Sequence, residues 1–375
     1  MGGSQRWDTV ADIPDADIWE LRRTLREQLV EEVRERLRAS WRERGAGTAE
    51  LGWIDGVLDP DVLTIGFARR VPSYKRLTLM LRDRERLTEL LLHPERPIQI
   101  VVAGKAHPAD DGGKRLVQEL VRFADDPRVR HRIVFLPDYG MAMAQKLYPG
   151  CDVWLNNPLR PLEACGTSGM KAALNGCLNL SVLDGWWDEW YEPDFGWAVP
   201  TADGAAMDEV RRDDVEAAAL YDLLTQRVAP RFYDRAAGGL PVRWIEMVRS
   251  TLANLGPKVL AGRMVREYVE ELYGPAAQAQ RALDPVAARE LAAWKARVRA
   301  AWLDRRGGPR GDGLGHRAGR QGGAGHHALA AGERHARRAG PLGRGGAGRR
   351  GPGGPLRPSH PQHRLPAQAV RRSVP

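Results

Sequence analysis

Cysteine and long apolar runs are both scarce in this chain, and each shortage excludes a class of protein. The three cysteines, Cys151, Cys165 and Cys177, lack the paired spacing of a metal or redox site, so reduced free thiols and no metal are expected. No stretch of 18 or more apolar residues and no signal-peptide pattern is present, so neither a membrane nor secretion is indicated. Composition therefore predicts a soluble cytoplasmic protein.

The net charge of the chain, +9, is concentrated at its carboxyl end. Between Arg305 and Pro375, fifteen arginines stand against only Asp312 and Glu333, which gives this segment a formal charge of +13. The rest of the chain therefore carries 13 less than the total, or −4, and is mildly acidic. Nucleic-acid binding is disfavoured because the basic segment has no aromatic residue for base stacking.

The composition of the chain changes abruptly at about Asp304. Lys, Asn, Ile, Met, Phe, Tyr, Trp, Thr and Cys are all absent after Arg305. Such a segment cannot bury enough apolar area to fold, so residues 304–375 are expected to be disordered. The missing residues have largely A/T-rich codons, which favours an out-of-frame reading of a G/C-rich gene over a genuine basic tail. Sequencing the locus distinguishes the two.

Lysine is also rare, and one of the seven lysines, Lys171, follows a turn rich in glycine and hydroxyl groups. The turn Gly166-Thr167-Ser168-Gly169 leads into a helical segment, so its backbone N–H groups, a hydroxyl and a helix N-terminus can hold a phosphate. A lysine among apolar neighbours can present a neutral amine to an aldehyde on that ligand, which suggests pyridoxal phosphate. The alternative is an ordinary turn with a solvated lysine, because isolated glycine-rich loops are weak signals.

A second cationic cluster follows the apolar run Val62 to Phe67. It contains Arg69, Arg70, Lys75 and Arg76. Open α/β sheets bind ligands at the carboxyl ends of their strands, so a buried strand followed by four cations favours an anion site over a solvated basic face.

The residues around Lys171 resemble a known family signature. Residues 163–176 read Glu-Ala-Cys-Gly-Thr-Ser-Gly-Met-Lys-Ala-Ala-Leu-Asn-Gly. They resemble the Glu-Ala-Ser-Gly-Thr-x-x-Met-Lys-x-x-Leu-Asn-Gly cofactor-lysine motif of the α-glucan (glycogen, starch and maltodextrin) phosphorylases, bacterial short type. Segments 66–76, 98–108, 132–146 and 178–189 resemble further motifs in the family's order, and the resemblance covers roughly residues 12–302.

Strand and helix signals alternate along the same region. Strands are predicted at 62–67, 98–103, 133–136, 153–155 and 178–182, and helices at 17–44, 76–92, 113–123 and 141–147. Helix 17–44 carries apolar residues at helical spacing, with charges between them. The alternation predicts an α/β fold with a doubly wound, Rossmann-like parallel sheet, followed by mostly helical segments 208–274 and 285–302.

The resemblance identifies this sheet as the C-terminal lobe of a GT-B-type glycosyltransferase architecture. Three regions are expected: a helical lead-in at 1–58, a cofactor- and phosphate-binding lobe at 59–303, and the tail at 304–375. Family members place the active site between two lobes, and this chain starts just before the second, so we expect an incomplete, inactive fragment.

The resemblance implies phosphorolysis of terminal α-1,4-glucosyl units by inorganic phosphate, yielding α-glucose 1-phosphate with retained configuration. Pyridoxal 5′-phosphate is the implied cofactor, and its 5′-phosphate assists proton transfer beside the substrate phosphate. Cationic side chains must then hold two phosphates together against their repulsion. The implied partners are a glucan (glycogen, starch or maltodextrin) and inorganic phosphate, and family members are often homodimers.

Individual roles follow from the resemblance, position by position. Lys171 would hold the cofactor as an imine, and its phosphate or ring would lie among Gly166, Thr167, Ser168, Gly169, Arg69 and Tyr139. Substrate phosphate would bind Arg70 and Lys75, which are expected to be catalytic together with Lys171. The glucosyl hydroxyls would contact Glu163, Cys165 and Gly166.

Two other functions stay open on the sequence. Nucleotide-sugar glucosyltransferases such as glycogen synthases share the lobe architecture but use no pyridoxal phosphate, and the Met170-Lys171 pair within its motif argues against them. A non-catalytic fragment that binds cofactor or partner is the third possibility.

Overall fold

Six parallel strands form the centre of residues 1–290, the first of two units in a computed structural model of the chain. The structure describes residue 7 and residues 9–70, 73–202 and 208–306. Of the second unit, residues 291–375, it describes a helical stretch that ends at Arg306. The prediction of a disordered tail at 304–375 therefore falls, from residue 307 onward, outside the described residues.

The strands run in the order β3-β2-β1-β4-β5-β6, and every neighbouring pair is parallel. This confirms the predicted α/β fold. The order reverses between β1 and β4, which is where open sheets of this kind leave a ligand crevice at the carboxyl ends of the strands. The strand bounds are β1 Leu63–Arg70, β2 Ile98–Lys105, β3 Ile133–Pro137, β4 Val153–Asn156, β5 Leu178–Val182 and β6 Gly196–Val199.

Helices cover both faces of the sheet, and buried side chains form a separate apolar cluster on each face. The helices are α1 Asp15–Glu43, α2 Arg84–Leu91, α3 Asp111–Ala124, α4 Met141–Gly150, α5 Thr167–Leu174, α6 Trp186–Trp190, α7 Glu209–Leu223, α8 Ala229–Tyr233, α9 Val242–Ser250, α10 Gly256–Val259, α11 Ala261–Glu267, α12 Gly274–Arg281 and α13 Pro285–Arg306. None in the described part of the chain is both long and apolar enough to cross a membrane.

Two local expectations differ from the structure. The helix expected at 76–92 begins only at Arg84, where the Asp83 side chain accepts a hydrogen bond from Arg86 N at 3.0 Å. Arg76, before it, has a left-handed backbone with φ of 50°, which interrupts a helix. Strand β6 was not predicted, because four residues that include a glycine give too short a pattern.

Helix α1 confirms the predicted amphipathic helix but buries charge as well as apolar residues. Leu21, one of its apolar residues at helical spacing, is 59% exposed, whereas Arg22 and Arg26 are buried. Arg26 Nη1 donates to Asp152 Oδ1 at 2.8 Å, and Thr64 N donates to Asp152 Oδ2 at 3.0 Å. The carboxylate of Asp152 thus ties α1 to the amino-terminal edge of the sheet.

Replacement of Asp152 by alanine should therefore destabilise the protein strongly. The change leaves two buried guanidinium groups without their carboxylate, which typically costs about 3–5 kcal/mol of unfolding free energy. The matched control is Asp61→Ala, which removes the exposed pair with Arg23 and should cost less than about 1 kcal/mol. Urea unfolding curves measure both, and equal losses would contradict the role given to Asp152.

Candidate functional site

A cleft of about 910 Å³ opens at the carboxyl ends of β1, β2 and β3 and at the beginning of α5. Its volume suits a cofactor together with small substrates. Nine of the eleven residues predicted from sequence line this cleft, and Gly169 and Cys165 do not. The nine are Arg69, Arg70, Lys75, Tyr139, Glu163, Gly166, Thr167, Ser168 and Lys171.

The glycine turn gives the cleft an open helix N-terminus. Gly166 has a left-handed backbone, with φ of +88°, and among the described residues no side chain caps the helix that follows. Gly169 faces inward, where an added Cβ would lie 2.6 Å from Asn179 Oδ1, so glycine allows α5 to pack closely on β5. Lys171 is exposed on the helix, with its Nζ 6.0 Å from the ring centroid of Tyr148.

Arg69 is the buried cation of the cleft. Its Nη2 donates to Asn156 Oδ1, so the bond spans the gap between β1 and β4 where the strand order reverses. Its Nε and Nη1 are buried and have no hydrogen-bond partner among the described residues. Burial lowers the pKa of Arg69 to about 10, and the guanidinium is still charged at neutral pH. Two unused donors on a buried cation fit an oxyanion such as a phosphate.

Two residues predicted to bind different substrates bind each other in the structure. Lys75 Nζ donates to Glu163 Oε2, and the two side chains are 15% and 10% exposed. Glu163 N donates to Asp184 Oδ2 at 2.9 Å, which holds the backbone of Glu163 in place. Arg70 is exposed at the end of β1 and lines the cleft. Lys75 and Arg70 thus line the same cleft.

The fourth cation of the sequence cluster, Arg76, does not line the cleft. Its Nη1 lies 2.6 Å from Glu216 Oε2 and 3.0 Å from Asp213 Oδ1, and the side chain is buried. It also donates to the carbonyl oxygens of Asn157 and Pro158. Arg76 therefore holds the loop after β4 against α7.

Two residues of the site, Tyr148 and Asn156, were not identified from sequence. The Tyr148 and Tyr139 hydroxyls are 2.9 Å apart, and burial raises the pKa of both phenols, so both stay neutral hydrogen-bonding groups. Asn156 is the last residue of β4 and binds Arg69. No sequence motif marks Tyr148 or Asn156. The one indication available was that Asn156 lies at the end of a strand, where ligands bind in such sheets.

Cys165 contributes backbone rather than thiol. Its carbonyl oxygen accepts a hydrogen bond from Trp186 N at 2.9 Å, and the side chain is half-buried outside the cleft lining. Burial raises the pKa of the thiol, with Glu163 and Glu189 raising it further. A protonated thiol is a poor nucleophile, so the site offers no reactive cysteine at this position.

Several known proteins of similar sequence match most of this chain, and they carry phosphorylase names. The family model described as carbohydrate phosphorylase matches residues 54–190. A glycogen phosphorylase of Mycobacterium tuberculosis is 66% identical over 299 residues, which cover 79% of this chain and 34% of that protein. A glycogen phosphorylase of Aquifex aeolicus is 44% identical over 71% of this chain and 38% of its own length. A maltodextrin phosphorylase of Thermococcus litoralis is 39% identical over 79% and 35%. The chain thus spans little more than a third of the length of these relatives.

The raised thiol pKa values predict slow alkylation of the folded protein. At about pH 8 a free cysteine is partly thiolate, whereas burial keeps Cys165 mostly protonated and Cys151 and Cys177 inaccessible as well. Iodoacetamide followed by mass spectrometry should label Cys165 slowly, faster as pH rises, and the other two only in urea. Cys165→Ser is the control that abolishes native labelling. Rapid labelling of Cys151 or Cys177 in the folded protein would contradict this.

Proposed function

Because this chain belongs to the carbohydrate phosphorylase family, we propose that it supplies the cofactor and phosphate side of an α-1,4-glucan phosphorylase. The reaction is phosphorolysis of terminal glucosyl units of a glucan such as glycogen, starch or maltodextrin. Its product is α-glucose 1-phosphate with retained anomeric configuration. The observation that carries the proposal is the buried Arg69, which has two unused donors and lines one cleft with Lys171 and the open N-terminus of α5.

These residues fit pyridoxal 5′-phosphate. Lys171 would hold the aldehyde carbon, while Arg69 and the backbone N–H groups at Thr167 and Ser168 would bind the phosphate. Tyr139, held by Tyr148, would border the ring or the phosphate. When bound, the cofactor would supply a second phosphate, able to accept and return a proton, beside the substrate phosphate.

Substrate phosphate would bind Arg70 and Lys75. Both side chains line the cleft, and a dianion there would be stabilised by charge-assisted hydrogen bonds. Glu163 would then accept from glucosyl hydroxyls, with Cys165 and Gly166 contributing backbone. The observed ion pair of Lys75 with Glu163 compensates both charges before the substrates bind. Phosphate would then replace Glu163 beside Lys75, and glucosyl hydroxyls would replace Lys75 beside Glu163. No pair of carboxylates has to serve as acid and nucleophile, as a glycoside hydrolase requires.

A nucleotide-sugar glucosyltransferase is the alternative, and the names of the relatives favour phosphorolysis over it. Release of glucose 1-phosphate from maltodextrin and phosphate tests the proposed reaction, with Lys171→Ala as the blank. Phosphorolysis that depends on Lys171 supports the proposed reaction and would overturn the expectation of an inactive fragment. Glucosyl transfer from UDP-glucose or ADP-glucose without pyridoxal phosphate would contradict it. The cytoplasmic location and the homodimer stay predictions.

Borohydride reduction should attach pyridoxal phosphate to Lys171. The lysine is exposed in the cleft, so its amine can reach an aldehyde anchored by the phosphate site. Protein mixed with the cofactor and reduced should carry the label on the peptide that contains Lys171, identified by mass spectrometry. Lys146→Ala, which removes an exposed lysine outside the cleft lining, is the matched control and should label normally. Undiminished labelling of Lys171→Ala would remove the cofactor claim.

Arg69→Met should weaken binding of pyridoxal phosphate but not of pyridoxal. Loss of charge-assisted hydrogen bonds to a phosphate costs about 1.5–3 kcal/mol, or roughly 10- to 100-fold in affinity. Pyridoxal has no phosphate, so its weaker binding should change little. Absorbance titration measures both ligands, and Arg115→Met, on exposed α3, is the control. Equal loss for both ligands would show that Arg69 supports the fold rather than the phosphate.

A further inference from the structure

A second concave site, which we call the arginine basin, lies away from the cleft. It has a volume of about 470 Å³, and Asp234 is the one carboxylate among its described lining residues. Five arginines line it: Arg96, Arg227, Arg231, Arg235 and Arg243. None of these residues lines the cleft that contains Lys171.

The arginine basin lies at the opposite edge of the sheet from that cleft. Tyr233, in its lining, donates to Pro97 O at 2.7 Å and accepts from Leu63 N at 3.2 Å, which are the starts of β2 and β1. The cleft is at the carboxyl ends of the same strands. An eight-residue strand is on the order of 20 Å long, so one ligand cannot occupy both sites.

The basin arginines have few close carboxylate partners among the described residues. Several arginines elsewhere form close ion pairs, as Arg86 does with Asp222 at 2.6 Å. Arg227 and Arg231 have no ion pair or hydrogen bond from their side chains to any described residue, and Arg243 lies 3.9 Å from Asp234.

The environment of Arg231 reflects this crowding of positive charge. Burial lowers the pKa of Arg231, and Arg243 and Arg227 lower it further, whereas Asp194 and Glu246 oppose the shift only in part. Concentrating like charge around a concave surface costs electrostatic free energy, which a bound anion would offset.

We propose that the arginine basin binds a small ligand that carries two or more phosphate charges. Guanidinium forks bind phosphate oxygens in pairs, and several forks around one cavity suit a polyphosphate chain. The volume is within the range of small-molecule sites. A nucleic acid would instead need an extended basic groove. Trp197 and Tyr233 provide an apolar wall beside the cations.

Calorimetric titration of the full chain with inorganic tripolyphosphate tests this site, and ATP provides a second arm that distinguishes inorganic from nucleoside polyphosphates. The double variant Arg227→Ala, Arg231→Ala should bind tripolyphosphate at least about tenfold more weakly, because it loses two charged donors. The matched control, Arg115→Ala with Arg122→Ala, removes the same charge from exposed positions on α3 and should bind normally. Arg70→Gln reports any polyphosphate binding at the phosphate site proposed in the cleft.

Three outcomes would overturn the proposal. They are no binding of either polyphosphate, an equal loss of affinity in the basin and control variants, or a loss of affinity only in Arg70→Gln. Unchanged affinity of the basin variant would place any binding elsewhere, including the arginine-rich residues 305–375, and would overturn it as well. Borohydride labelling of Lys171 in the basin variant should be normal, so failure here is distinguishable from failure of the proposed function.

Discussion

The site depends on one buried charge, the guanidinium of Arg69. It lies at the end of β1, bonds to Asn156 at the end of β4, and keeps two donors unused. Burying such a cation is costly unless an anion accompanies it. The other parts of the cleft are arranged around that requirement: the uncapped start of α5, the exposed lysine on it, and the basic residues that follow β1.

The fold brings these parts together through the order of its strands. The chain leaves β1 toward β2 and β3 on one side, and returns to β4, β5 and β6 on the other. The gap between β1 and β4 therefore receives residues from both halves of the sheet. The buried Asp152 bonds to Thr64 at the opposite end of these two strands and anchors α1 there. The amino-terminal edge of the sheet thus carries these internal ion pairs, while the cleft opens at the carboxyl-terminal edge.

Most of the strands could be predicted from apolar runs, and the glycine turn and the cation cluster that line the cleft are local patterns as well. Tyr139 and Glu163 were expected there only from the family resemblance. The remainder depends on tertiary contacts. Arg76 belongs to the same cluster as Lys75, yet it pairs with Glu216, far away in sequence. Tyr148 carries no motif and reaches the cleft only because α4 packs beside β1. The pairing of Lys75 with Glu163 likewise required the folded geometry, as did the crowding of arginines in the basin.

The central claim is that the cleft holds two phosphates, one of them compensating Arg69. A crystal structure of the chain with pyridoxal phosphate and inorganic phosphate tests it most directly. We predict that the cofactor phosphate accepts hydrogen bonds from Arg69 Nε and Nη1, while a second anion contacts Arg70 and Lys75. A cofactor bound elsewhere, or an Arg69 whose donors are still unused beside it, would contradict the account.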